Sequence, residues 1–189
     1  MPLSTDQKVR SLRERIGRGT PPWRRDLEQV VIFLGMESLA GYVISSLHFE
    51  VNQNLRDEHS RFPGYRGPWE ESAAAVPIMS MGKVAGSLLV SSTQRDYFLS
   101  TRCKLIESYA ELIALAFAPE DFYEPQQISL GILPAYEVQR PYLSEFRKRV
   151  LAVMQQHSMR IFEAEQLVWQ QIEAELLQSL LVNNRQEVP

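Results

Sequence analysis

The chain of 189 residues holds one cysteine, Cys103, and three histidines, His48, His59 and His157. A lone thiol cannot close an internal disulfide, so the framework of a small secreted protein is excluded and a reducing cytoplasm is the expected setting. The histidines fall at no metal-ligand spacing, and no metal site is expected. Gly82-Lys83 lacks the upstream glycine and the following Ser or Thr of a phosphate-binding loop, and no G-x-S-x-G nucleophile motif occurs. No apolar run reaches the roughly 20 residues of a membrane span, and the N-terminal MPLSTDQKVR has no signal-peptide core. Charge of one sign is also missing. Against 20 Lys and Arg stand 23 Asp and Glu, a net charge of −3 that argues against a nucleic acid or an anionic membrane as partner. Arg10, Arg13, Arg15, Arg18, Arg24 and Arg25 do gather near the N-terminus, which suggests a phosphate-binding arm. Interleaved Asp6, Glu14 and Asp26 make a solvated edge the plainer reading.

What is present is an ordinary globular composition, 44% hydrophobic and 23% charged, enough for one cored domain and an appendage. The stretch Ser72–Phe117 reads as a β-hairpin followed by an amphipathic helix. Two apolar runs, Ala75–Met81 and Val84–Ser92, flank a tight Gly82-Lys83 turn. Apolar side chains on both faces of the second run suggest central strands covered on both sides, with Gly86 where a neighbouring element approaches closely. Ser100 fits an N-cap, Leu105, Ile106, Tyr109, Ile113, Ala116 and Phe117 mark an apolar face, and Pro119 stops the helix. Upstream, Lys8–Ile16 is open between helix and strand. Leu27–Leu34 has a strand-like β-branched cluster but a start that also suits a helix, Glu37–Ser46 suits a short helix, and Phe49–Val51 an extended piece. Asn52–Glu71 is a long polar loop broken by Pro63, Gly64, Gly67 and Pro68. It is either a lid over a site or a surface excursion pinned by its aromatics.

Four prolines make 119–141 a connector. From Tyr142 to Val182 neither glycine nor proline occurs. Leu143, Phe146, Val150, Val153, His157, Ile161, Ala164, Val168, Ile172, Leu176 and Leu180 form a stripe at three-to-four spacing, with Leu151, Phe162, Leu167, Trp169 and Leu177 widening it. This is one long helix or a pair broken near Gln156–Ser158. Such a face must be covered, by another subunit or by its own domain. The expectation is a homodimer through Ile161, Val168, Ile172, Leu176 and Leu180.

The strings ESAAAVPIMSMGKVAGSLLVSS and YFLSTRCKLIESYAELIALAF resemble the last hairpin and C-terminal helix of GAF domains. Upstream, ESLAGYVISSLHFEVNQNLRDEHSRF is similar to the glycine-containing helix, short strand and following loop of the same family. The resemblance implies an α/β (α+β) fold, an antiparallel sheet flanked by helices, with Lys8–Arg15 and Gln29–Leu34 as earlier strands. It divides the chain into a GAF-like domain over 1–118, the connector over 119–141 and a helical extension over 142–182. Little sequence precedes Lys8, so the domain is expected to be shortened at its front. The family's pocket walls would correspond to Leu39–Val43, Phe49–Val51, Arg56–Phe62 and Ser72–Ile78. Candidate ligand-binding residues are therefore Tyr42, Val43, Phe49, Val51, Arg56, Phe62, Trp69 and Val76, for a small molecule of unknown identity. Asn54, Asp57 and Glu58 do not complete the cyclic-nucleotide signature, and Cys103, on the last helix of the domain, is not placed for a bilin link. The implied role is a non-catalytic sensing or regulatory module with output or self-association through the C-terminal helices. Its rival is a ligand-free adaptor domain.

Overall fold

The computed structural model of the chain describes residues 6–14, 16–27, 32–57 and 69–186, with side chains through residue 179. A three-stranded antiparallel sheet, in the order β3 (Glu50–Asn52), β4 (Ser72–Ser80), β5 (Lys83–Ser92), carries the fold. The β4–β5 turn is Met81-Gly82, one residue earlier than the spacing suggests, and both residues have positive φ (49° and 78°). That is the backbone sense a two-residue hairpin needs to follow the strand twist. A bulge between Ile78 and Met79 shifts the register, so that Met79 pairs with Val84 while Ile78 pairs with Gly86.

Only β4 is central. Its side chains alternate between two apolar layers. Ala74, Val76 and Ile78 pack under helix α2 (Ser100–Ala114), while Ala73 and Ala75 face helix α1 (Leu39–Ser46). β5 is the edge strand, and a Cβ built at Gly86 would meet nothing within 4 Å. The expectation of a closely approached central glycine is therefore corrected: one helix does not span three strands, and the position lies beyond its cover. Close approach occurs instead at Gly41 and Gly35, where a side chain on Gly41 would run into the carbonyl of Gly35.

The N-terminal segment forms short strands, β1 (Leu12–Arg13) and β2 (Phe33–Leu34), which pair with each other and stand apart from the main ladder. Of the expected strand Gln29–Leu34, residues 29–31 lie outside the described residues. The proline-containing segment does more than connect. Tyr123 exchanges both backbone hydrogen bonds with Val84, each 2.9 Å, extending the sheet edge. Farther on, Ile128 bridges Val9 in parallel, and Gly131 donates to the Arg10 carbonyl and accepts from Met36. Prolines suit this path because an edge lace needs few donors of its own.

The C-terminal stripe resolves into α3 (Tyr136–Ser144), α4 (Phe146–His157) and α5 (Ile161–Gln186). Ser158, in the left-handed conformation, ends α4 and lets the chain fold back, which selects the broken pair over the single long helix. The exposed Ile161 and His157 sit at this corner. Val150, Val153, Ala164, Val168, Ile172 and Leu176 form one core cluster with Phe33 of β2 and Leu133. Val168, Ile172 and Leu176 are each 0% exposed within the single chain, so the proposed intersubunit role of these three is overturned. Their own domain covers them. The expected contact at Leu180 falls on a side chain outside the described residues.

Candidate functional site

Helix α1 is positioned by short-range chemistry on both sides. Ser38 caps it, its Oγ accepting from the Gly41 amide at 3.0 Å and donating to the Gly35 carbonyl at 2.8 Å. The neighbouring Glu37 carboxylate accepts from the Gly35 and Leu133 amides at 2.7 and 2.9 Å, tying α1 to β2 and to the lace. At the far end Leu47 adopts a left-handed conformation and donates back to the Val43 carbonyl. The helix thus presents Leu39, Tyr42 and Val43 to the small side chains of Ala73 and Ala75, with Leu55 closing the layer.

The expected site residues do not converge. Tyr42, half-buried, and Val43, 0% exposed, lie on the α1 face of the sheet. Phe49, Val51 and Val76 belong to the opposite layer, under α2. A single pocket containing all five is incompatible with strand alternation, which sends successive side chains to opposite faces. Val43 and Val51 could not share a cavity without crossing the backbone of the sheet. Phe62 lies outside the described residues. Trp69 is half exposed where the chain resumes after the undescribed stretch 58–68.

Arg56 lies just before that stretch. Its guanidinium reaches Glu71 at 2.5 Å, and Arg95 approaches the second oxygen of the same carboxylate at 3.2 Å. Glu71 is well covered while both arginines are largely exposed. Backbone bonds fix the base beneath them: the Leu55 amide donates to the Glu71 carbonyl, and the Glu71 amide to that of Ser92, both at 2.8 Å. Gln53 clips the loop before α2, its amide donating to the Phe98 carbonyl at 2.8 Å and accepting from the Phe98 amide at 3.2 Å. The described ends of the long loop are therefore tied down, the first to Glu71 and to the segment before α2, the second to β5.

A second polar cluster had no signature in the sequence. It lies where the C-terminal helices meet the N-terminal strands. Ser11 donates to Glu173 of α5, and both are buried, at 0% and 3% exposed. Burial pushes the Glu173 carboxyl above its ordinary range, opposed by the hydroxyl of Ser11 and the charges of Arg13 and Arg10. The Arg13 guanidinium lies 4.5 Å from the centroid of Trp169, which stacks on Phe146 at 3.9 Å. Gln139 of α3, 1% exposed, accepts from the Phe33 amide at 2.9 Å and donates to the carbonyls of Phe33 and Pro134 at 2.9 and 2.8 Å. The amide side chain serves β2 as a strand neighbour would. These residues join elements 106 to 162 positions apart, which explains why no local pattern betrayed them.

A packed apolar layer lies between α1 and β4, and a polar latch ties the helical extension to β1 and β2. Among the described residues no helix is long and apolar enough to cross a membrane. No curated protein matches the chain. Among solved structures, the chain is similar to the type II free methionine-R-sulfoxide reductase from Thermoplasma acidophilum. The identity is 20% and the TM-score 0.42, over 51% of this chain and 66% of that one. The model of the GAF domain matches residues 14–117, which span the sheet with α1 and α2. The chain belongs to the GAF domain family.

Proposed function

We propose that this protein is a non-catalytic regulatory module that senses a small molecule on the α1 side of its sheet and passes its state to the C-terminal helices. The observation that carries the reading is family membership over residues 14–117. The path of output follows from packing. α1 is bound through Glu37 to the Leu133 amide, and Leu133 sits in the same core cluster as Val168, Ile172 and Leu176. A ligand that displaces α1 would thus press on the floor of the helical extension within two contacts. The lone Cys103 suits a cytoplasmic setting. Self-association belongs to this reading through surfaces other than the buried stripe.

A second reading, the ligand-free adaptor, is favoured by one specific observation. Val43 is fully enclosed by Leu39, Leu55, Ala73 and Ala75, so this part of the sensing layer is already packed by its own side chains. Native mass spectrometry of protein purified from its own host separates the two. A small-molecule adduct carried by the folded protein and lost on denaturation is the expected result. A bare mass for the folded chain would leave the adaptor reading in possession.

A further inference from the structure

We propose that the groove between α2 and β5 binds a single-chain amphiphile, an unbranched alkyl tail ending in a carboxylate, with its head at Arg102. The groove arises because one helix lies over three strands and leaves the β5 side of that layer open. It measures about 410 Å³, within the range of small-molecule sites. Leu88 and Val90 of β5 line one side, and Ile106, Tyr109 and Ile113 of α2 the other. From residue 102 to residue 113 the helix rises about 16 Å, so the groove is elongated, with Arg102 at one end.

Arg102 sets the head-group end. Among the described residues that line the groove it alone carries charge. Its guanidinium is held in place, donating to the Tyr97 carbonyl at 2.6 Å and lying 4.0 Å from the centroid of the Tyr97 ring. Arg10, Arg18, Arg56, Arg95 and Arg149 each meet a carboxylate. Among the described residues no carboxylate pairs with Arg102. A guanidinium has five N–H donors in a fork that a carboxylate matches. A fixed and uncompensated cation closing one end of an apolar groove is complementary to an anion attached to hydrocarbon.

Other occupants fit less well. An extended peptide would bring its amides against walls of hydrocarbon and aromatic ring, and buried backbone groups need partners. An anionic membrane surface is held by clusters of cations, whereas α2 exposes Glu107 and Glu111 beside Arg102 and Lys104. The groove also lies across the sheet from α1. It is therefore a second site, independent of the sensing role proposed there.

Amide NMR spectra of the full chain, titrated with dodecanoate below its micellar concentration, test the site. Saturable shifts centred on β5 and α2 are expected. Decanoate and octanoate should bind progressively more weakly, by about twofold to fourfold for each methylene removed. Dodecanol and dodecyltrimethylammonium, with the same tail and a neutral or cationic head, should bind about tenfold more weakly than dodecanoate. Arg102→Gln should weaken dodecanoate about tenfold and leave dodecanol unchanged, which also shows that the variant is folded. No saturable shift, or shifts centred on α1, would overturn the inference. So would an affinity indifferent to chain length, dodecanol binding as tightly as dodecanoate, or dodecanoate binding that Arg102→Gln leaves intact.

Discussion

Helices α5 and α2 are both amphipathic, yet the molecule treats them oppositely. α5 carries Val168, Ile172 and Leu176 at 0% exposure, enclosed by α4, β2 and the end of the lace. α2 buries a narrow strip of Ile106, Ala110 and Ala114 and leaves the larger Leu105, Tyr109 and Leu112 in water as a ridge along its outer face. The difference lies in what stands opposite. α5 has a companion helix folded back on it by Ser158, whereas α2 has only a flat sheet, against which small residues pack closest. An apolar stripe thus reports that burial is available to a helix, and the surrounding elements decide whether the chain itself supplies it.

The sharpest way to break this contrast is Ile172→Ala. Loss of a fully buried side chain from the shared cluster should cost about 2–5 kcal/mol. Urea unfolding would measure it, and a cost under about 1 kcal/mol would mean that the helical pair is not part of the core. The buried latch on the same helix should show itself through pH. Because burial raises the Glu173 carboxyl in the folded state, that state binds the proton more tightly than the unfolded chain does. The stability linked to this proton is fully present below the ordinary value of 4.5 and is lost as pH rises through the folded-state value. Glu173→Gln should remove that slope, so the variant gains on the wild type as pH rises from acid to neutral in a series of urea titrations. A constant difference across the series would show the carboxyl to be unperturbed.

Smaller effects are expected on the α2 side. Gly86 has open space around its missing Cβ, and its φ is not positive. Gly86→Ala should therefore leave stability unchanged or raise it by about 0.4–1 kcal/mol. A loss above about 1 kcal/mol would reveal a neighbour packed over the edge strand. Leu112→Ser, measured at a dilution that keeps the chain monomeric, should fall within about 0.5 kcal/mol of the wild type. A larger cost would place Leu112 in the monomer's own core and remove it from the exposed ridge.

The hairpin, α1 and the stop of α2 before Pro119 were legible in the chain, because each rests on residues a few positions apart, whereas the pattern near Gln156–Ser158 left one long helix and a broken pair equally open. Glycine in a turn and proline after a helix act through their own backbone; the cap expected at Ser100 is not made, because Leu99 holds the cap position and Ser100 is already the first residue of the helix. The candidate site was legible only as a set of segments. Phe49, Val51 and Val76 fell on the far side of the sheet from Tyr42 and Val43, since the face a strand residue takes depends on its register. Ser11, Gln139 and Glu173 went unnoticed, and Arg13 was read only as one of the gathered N-terminal arginines, for a related reason. A buried polar residue is defined by partners across the fold, and nothing near Glu173 in the sequence distinguishes it from Glu175, which pairs with Arg149 nearer the surface.

By itself, the sequence determined which faces are apolar, that helices follow the hairpin and fill the C-terminal part, and which family the domain joins. All of these follow from local conformational preference and from the period of apolar side chains. It placed 119–141 as a connector, whereas α3 already begins at Tyr136 and carries Pro141 within it. Only the tertiary structure decided which apolar faces meet. The stripe of α4 and α5 closed on Phe33 and Leu133 of its own domain, and the ridge of α2 stayed open. Hydrophobic burial is non-directional, so periodicity cannot say which of several apolar surfaces covers a given face. That choice falls to chain geometry: a left-handed serine that folds one helix onto another, and a three-stranded sheet wider than the single helix lying on it.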